Sequence, residues 1–119
     1  MYLSTKIIKS KNITSPGFPS KYPPDIECSW IVICTEGYRV SANIIELVLE
    51  RGFDQLTLGN GQALYFNVIA RLTGTTKLRV LTSVGSEMWI EFRSDGVVNL
   101  EGFVVQFTQV TDVAGKLLF

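Results

Sequence analysis

All four prolines of the chain fall between Pro16 and Pro24. Proline fixes φ and has no amide hydrogen, and it drives the preceding residue toward extended backbone. The stretch Ser15-Pro16-Gly17-Phe18-Pro19-Ser20-Lys21-Tyr22-Pro23-Pro24 is therefore neither a helix nor a central strand. It is expected to run extended along a surface, with Phe18 and Tyr22 pinning it down. Soon after it comes Cys28-Ser29-Trp30-Ile31-Val32-Ile33-Cys34. That run is apolar on both faces, as a strand buried between two layers is.

The rest of the chain reads as short strands separated by turn signals. Ile7-Ile8 suggests a brief first strand. Tyr38, Val40, Ala42 and Ile44 alternate on one face, then Ile45, Leu47 and Leu49 alternate in a phase shifted by one residue. One strand with a bulge or bend at Ile44-Ile45 keeps both sets on the same core. Arg51-Gly52-Phe53 is a turn, and Asp54 to Leu58 a strand stopped by Gly59-Asn60-Gly61. Further strands are expected over Leu64 to Leu72, Lys77 to Val84 and Glu87 to Arg93, then around Phe103, Val105 and Phe107. No long window has a helical period. The pattern predicts an all-β fold, an antiparallel sandwich of two sheets. Residues 1–112 form this single domain, and 113–119 a tail or linker stub ending in Leu117-Leu118-Phe119.

At 119 residues the chain buries about two thirds of its unfolded surface without help from metals or disulfides. Eleven basic residues cancel eleven acidic ones, which argues against a nucleic-acid or membrane-surface binder that works by charge. Lys6, Lys9 and Lys11 read as solvated positions near the start rather than a patch. No apolar run reaches the roughly 18 residues of a membrane span, and the first residues lack the apolar core of a secretory leader. Asn12-Ile13-Thr14 is a glycosylation triplet, which suits a module of a secreted protein. Cys28 and Cys34 face the same way on one strand, about 20 Å apart, too far for the 7 Å or so that a disulfide spans. They are expected to be buried free thiols that pack as small apolar groups.

The chain has no histidine. That removes Ser-His-Asp and Cys-His nucleophile pairs and histidine-rich zinc sites. There is no phosphate-binding glycine loop, because Gly59-Asn60-Gly61 opens no helix. A paired-carboxylate hydrolase has no evident cleft. An enzyme is not expected.

Three carboxylates sit at turns: Glu50 and Asp54 flank one, and Asp95 opens another. They are either solvated turn residues or, if the two turns share an end of the sandwich, ligands to a hard cation. Calcium accepts about 6–8 oxygens, so the Asn99 amide, carbonyls between Gly96 and Asn99, and water would complete such a shell. Trp30 reads as core. Trp89 lies opposite Met88, Ile90 and Phe92, and is either an exposed binding anchor or packed against the tail; Tyr65 and Phe66 are ambiguous in the same way.

Several motifs in order make the chain resemble the CUB domain family over nearly its whole length. They are Ser15-Pro16-Gly17-Phe18-Pro19 with Tyr22-Pro23, Cys28-Ser29-Trp30, Gly37 to Glu50, Asp54-Gln55-Leu56, Met88-Trp89-Ile90-Glu91-Phe92-Arg93-Ser94-Asp95, and Gly102-Phe103. The resemblance implies a jelly-roll-like two-sheet sandwich of extracellular or plasma-membrane-associated proteins, non-catalytic and used for protein contacts. It implies a calcium site of one Glu and two Asp, which match Glu50, Asp54 and Asp95. It also implies that loops such as the one at Gly96 receive a basic side chain of a protein partner. The alternatives are a stand-alone secreted protein of spermadhesin type that binds carbohydrate or lipid headgroups, and a spacer with an empty calcium site. The chain departs from the family in its cysteines. The resemblance places one near Tyr2, paired with Cys28, and a second pair near Arg51 and Thr73; all three are missing, and Cys34 is extra. The turn between Glu50 and Asp54 is short, and Asn60 stands where the family commonly has Asp.

Overall fold

A computed structural model describes residues 2–6, 10–96 and 98–111. Ten strands follow one another: β1 (Tyr2–Lys6), β2 (Ser10–Thr14), β3 (Glu27–Ile33), β4 (Tyr38–Val48), β5 (Gln55–Asn60), β6 (Val68–Leu72), β7 (Thr75–Thr76), β8 (Arg79–Thr82), β9 (Glu87–Arg93) and β10 (Gly102–Thr111). They form two sheets. One has the order β1-β3-β9-β5-β6; the other runs β2-β10-β4-β7, with β8 also paired to β4. Among the described residues only β1 and β3 pair in parallel; the other pairings are antiparallel. The expected two-sheet sandwich is present, and no helix occurs among the described residues.

The core lies between the inner faces. Cys28, Trp30 and Val32 of β3, Leu56 and Leu58 of β5, and Met88, Ile90 and Phe92 of β9 meet Val40, Ala42, Ile44 and Leu47 of β4 and Phe103, Val105 and Phe107 of β10. Phe92 packs edge-on to both Tyr22 and Phe103, with ring centroids 5.2 and 5.1 Å apart. Offset edge contacts of this kind add to the burial term. Both thiols are free and buried, and burial pushes each thiol up from its ordinary titration range.

The bulge forms where the alternation slips. Val104 pairs with Glu46 and Val105 with Ile44, so Ile45 is the extra residue. Leu47 and Leu49 keep their place in the core, but Ile45 itself is 44% exposed and does not point inward as expected. The bulged residue takes the local kink so that the rest of the strand holds phase.

Three boundaries differ from the sequence reading. The strand expected from Leu64 begins only at Val68, because Gly61, Tyr65 and Asn67 adopt positive φ and turn the chain. The strand expected over Lys77 to Val84 is split into β7 and β8, with Leu78 at a φ of 54° between them. β1 and β2 flank residues 7–9 and were not foreseen. They are polar edge strands without an apolar alternation, and Ile7-Ile8 lies outside the described residues. So does the tail from Asp112 onward.

Candidate metal centre

Strand register assembles this site. Gln55 at the start of β5 pairs with Arg93 at the end of β9. Asp54, one residue before β5, is thereby brought to Asp95, two residues beyond β9. Glu50 comes from the other sheet, just past β4, through a tight turn in which the Phe53 and Asp54 amides donate to the Glu50 carbonyl at 3.1 and 3.0 Å. Ligand oxygens of Glu50, Asp54 and Asp95 all lie within 4.8 Å of one another. The two turns do share one end of the sandwich.

The proline-rich stretch holds that end closed. Tyr22 is 1% exposed; its hydroxyl donates to Asp54 Oδ2 and accepts from the Glu50 amide at 3.3 Å. Its own amide donates to the Leu100 carbonyl at 3.2 Å. The Asp25 amide donates to the Asp95 carbonyl at 3.0 Å. Ser94 Oγ accepts from the Ile26 amide at 3.0 Å and donates to the Pro23 carbonyl at 2.9 Å. A segment that cannot join a sheet thus spends its polar groups on the corner that carries Asp95. Tyr22 does pin the stretch, as expected, while Phe18 is only half-buried.

The three carboxylates play different parts. Asp54 is fully buried, with Oδ2 bonded to Tyr22 and Oδ1 accepting from the Asp95 amide at 2.8 Å. These bonds fix its orientation and leave further lone pairs. Glu50 Oε1 is buried and has no hydrogen-bond partner. Desolvation, then the charge of Asp95 and a hydrogen bond to it, then the charge of Asp54, hold the Glu50 carboxyl above the usual carboxylate range. Asn99 Oδ1, on the loop after Asp95, is likewise buried without a partner. An orphaned buried oxygen such as Glu50 Oε1, beside two further carboxylates, is costly unless a cation meets it. The donor set is all oxygen, which suits a hard divalent ion and excludes a soft one.

Thr73 takes the place where the resemblance puts a cystine. Its hydroxyl accepts from the Gly52 amide at 2.9 Å and donates to the Asp54 carbonyl at 2.7 Å. The turn between Glu50 and Asp54 is thereby fastened to the β6–β7 connection without a disulfide.

One expectation is corrected and one residue is added. Trp89 is not an exposed anchor, since it is 0% exposed. Its indole lies over Gly59, and Nε1 donates to the Phe66 carbonyl at 2.8 Å; the alternative contact with the tail falls outside the described residues. Gly96 is exposed, and its backbone lies against the Asp25 carboxylate, which stands 3.1 Å from where a Cβ would be. Asp25, after two prolines and with a φ of 53°, is an exposed fourth carboxylate at this end that sequence reasoning missed. The Pro-Pro-Asp order, a rigid lead into a turn-forming residue, was the available signal. Asn12 is exposed on edge strand β2, open to modification.

A family model described as "CUB domain" matches residues 4–107. The chain belongs to the CUB domain family. Mouse tolloid-like protein 1 is 34% identical over 109 residues, covering 88% of this chain and 11% of that protein. Mouse neuropilin and tolloid-like protein 1 is 34% identical over 113 residues, covering 91% of this chain and 21% of that one. The chain therefore spans only a small part of the relatives it matches. Among solved structures, the CUB1-EGF-CUB2 region of human MASP-1/3 superposes with a TM-score of 0.81 at 27% identity, over 93% of this chain and 45% of that one. CUB domains of these extracellular proteins are generally non-catalytic interaction modules. Among the described residues, no helix is long and apolar enough to cross a membrane.

Proposed function

We propose that this CUB domain is an extracellular, non-catalytic protein-binding module whose partner-facing loops are ordered by calcium at Glu50, Asp54 and Asp95. One observation carries the reading: three carboxylates from two sheets converge within 4.8 Å, and one of their oxygens, Glu50 Oε1, is buried with nothing to bond. Glu50, Asp54 and Asp95 would hold the ion, and the Asn99 amide, nearby carbonyls and water would fill a shell of about 6–8 oxygens. Bound there, calcium supplies positive charge that cancels the repulsion now confining Glu50. Three carboxylates exceed a divalent ion by one negative charge. That residue of charge, with exposed Asp25 beside Gly96, favours a lysine or arginine of a protein partner through charge-assisted contacts.

Calorimetric titration with calcium chloride and thermal melts in calcium and in chelator test this. Heat of binding and a higher Tm in calcium are expected, and Asp54→Ala should remove both. At about 100 times Kd the ligand stabilises the fold by roughly 2.7 kcal/mol. Absence of heat and of stabilisation at millimolar calcium would leave the spacer reading in its place.

A further inference from the structure

The β2-β10-β4-β7 sheet, with β8 beside β4, departs from regular strand geometry twice within one small area. The bulge in β4 turns Ile45 out of the core, where it is 44% exposed. Between β7 and β8, Leu78 takes a φ of 54° and is 85% exposed. Its amide donates to the Ile44 carbonyl at 2.8 Å, which ties this link to the bulge. Val80, beside Asn43 in the register of β8 on β4, is 59% exposed. Ile45, Leu78 and Val80 line one cavity of about 220 Å³ together with Asn43, Arg79 and Gln106. None of these residues belongs to the acidic cluster.

The fold does not require these side chains. The bulge keeps β4 in phase, but any residue could stand at its exposed position. Left-handed backbone is a genuine outlier for a bulky residue, and glycine or asparagine would hold the 77–78 link with less strain. At 85% exposure, Leu78 gains little burial to offset that strain. Such strain gathers at functional sites, and bulges re-aim side chains. Here both aim large apolar groups at the same spot, whereas exposed hydrophobic residues are ordinarily scattered singly.

Charge and shape select the occupant. Leu78 stands between two exposed cations, Lys77 and Arg79. Strands β4, β7, β8 and β10 with the 77–78 link carry Arg39, Lys77 and Arg79 against one acid, Glu46, in a chain whose charges cancel overall. The cavity is below the usual range of about 300–1,000 Å³ for ligand pockets, and takes one side chain. A second copy laying the same patch on itself would set cation against cation. The acyl chains of a lipid surface would strip water from the Asn43 and Gln106 amides without replacing its hydrogen bonds; a peptide has donors and acceptors for both. We infer that this patch docks an acidic segment of a protein partner. One apolar side chain of that segment sits among Ile45, Leu78 and Val80, and its carboxylates face Lys77 and Arg79.

Amide shift mapping of the whole chain with capped synthetic peptides, in chelator, tests this. The probe carries one leucine between two pairs of aspartates; the controls replace the leucine with serine, or the aspartates with lysines. At millimolar concentration the probe should shift Asn43, Ile45, Leu78, Val80 and Gln106. Each control should bind at least about tenfold more weakly, as when an interface anchor or its charge partner is lost. Leu78→Asn should weaken the probe by a similar factor without lowering Tm, because asparagine tolerates left-handed backbone. Arg79→Ala should weaken it and leave the remainder less sensitive to salt. No shifts at the patch overturn the site, as do equal shifts with the lysine peptide. A lower Tm for Leu78→Asn overturns it too, since Leu78 would then be held by packing. Recruitment to phosphatidylserine vesicles that Leu78→Asn abolishes overturns the protein partner in favour of a lipid surface.

Discussion

The Tyr22 hydroxyl donates a hydrogen bond to the carboxylate of Asp54, 32 residues away in sequence. The same oxygen accepts from the Glu50 amide, so one phenol touches two of the three clustered acids through side chain and backbone. Desolvation first, and then the bond to Asp54, push the Tyr22 phenol well above its ordinary range, so it is a donor at neutral pH. Tyr22→Phe leaves a buried carboxylate oxygen short of a partner, which costs about 1–3 kcal/mol. The packing of the ring on Phe92 is kept, so the fold should persist. A fall in Tm of roughly 4–8 °C per kcal/mol is expected for a domain near this size. An unchanged Tm would show that the bond contributes nothing to the native state.

Glu50 gives the centre an unusual pH signature. Its carboxyl is raised by desolvation and by the negative charges of Asp95 and Asp54. The folded protein therefore holds the Glu50 proton to higher pH than the unfolded chain does. Without metal, stability falls as pH rises from the ordinary carboxylate range through the raised folded value. Calcium and the proton compete for the same oxygens, so calcium should remove this penalty at neutral pH and lose its effect on acidification. Melts in chelator and in calcium, from about pH 4 to about pH 8, should diverge as pH rises. Glu50→Gln should raise Tm in chelator at neutral pH and abolish the response to calcium. A variant that melts lower in chelator would contradict the repulsion on which this rests.

The parts of the fold that follow a short-range rule were legible in the sequence. β9 was expected over Glu87 to Arg93 and spans those residues, because period-two alternation with a turn at its end is a local signal. The slip at Ile44-Ile45 located the bulge, though not the exposure of Ile45, since an unpaired residue is free to leave the face that its neighbours keep. Tyr65, Asn67 and Leu78 broke strands that their apolar neighbours suggested, through left-handed backbone; asparagine tolerates that region, but nothing in the side chains of Tyr65 and Leu78 announces it. At the site, turn positions and the family resemblance both pointed to Glu50, Asp54 and Asp95, because each is tied to the end of a strand. Asp25 and the phenol of Tyr22 were not found. Their roles depend on how an irregular segment lies across two other loops, which no periodicity encodes.

Thr73 joins three pieces of backbone through one hydroxyl. It accepts from Gly52, donates to the Asp54 carbonyl, and stands 3.3 Å from the Glu50 carbonyl. Thr73→Val keeps the shape and removes the bonds, so about 1–3 kcal/mol of stability should be lost. Glu50 and Asp54 are the residues whose turn is loosened, and calcium affinity should fall along with Tm. Calorimetry on the variant at a temperature where it remains folded separates the two effects. Loss of Tm with undiminished affinity would mean that the turn keeps its geometry without Thr73.

Gly59 faces the indole of Trp89 so closely that a Cβ would lie 2.2 Å from a ring carbon. Real Cβ atoms do not approach that near, so the ring would have to move. Trp89 has nowhere to go, since it is 0% exposed and fastened to the Phe66 carbonyl. Gly59→Ala should therefore cost at least the 1–3 kcal/mol or so of an overpacked core, although alanine is ordinarily no worse than glycine in a strand. Displacing the indole also frees the loop that carries Tyr65. Tryptophan fluorescence should show Trp89 moving into water, and Tm should fall. A variant with wild-type emission and wild-type Tm would mean that the sheet yields at Gly59 and the indole does not.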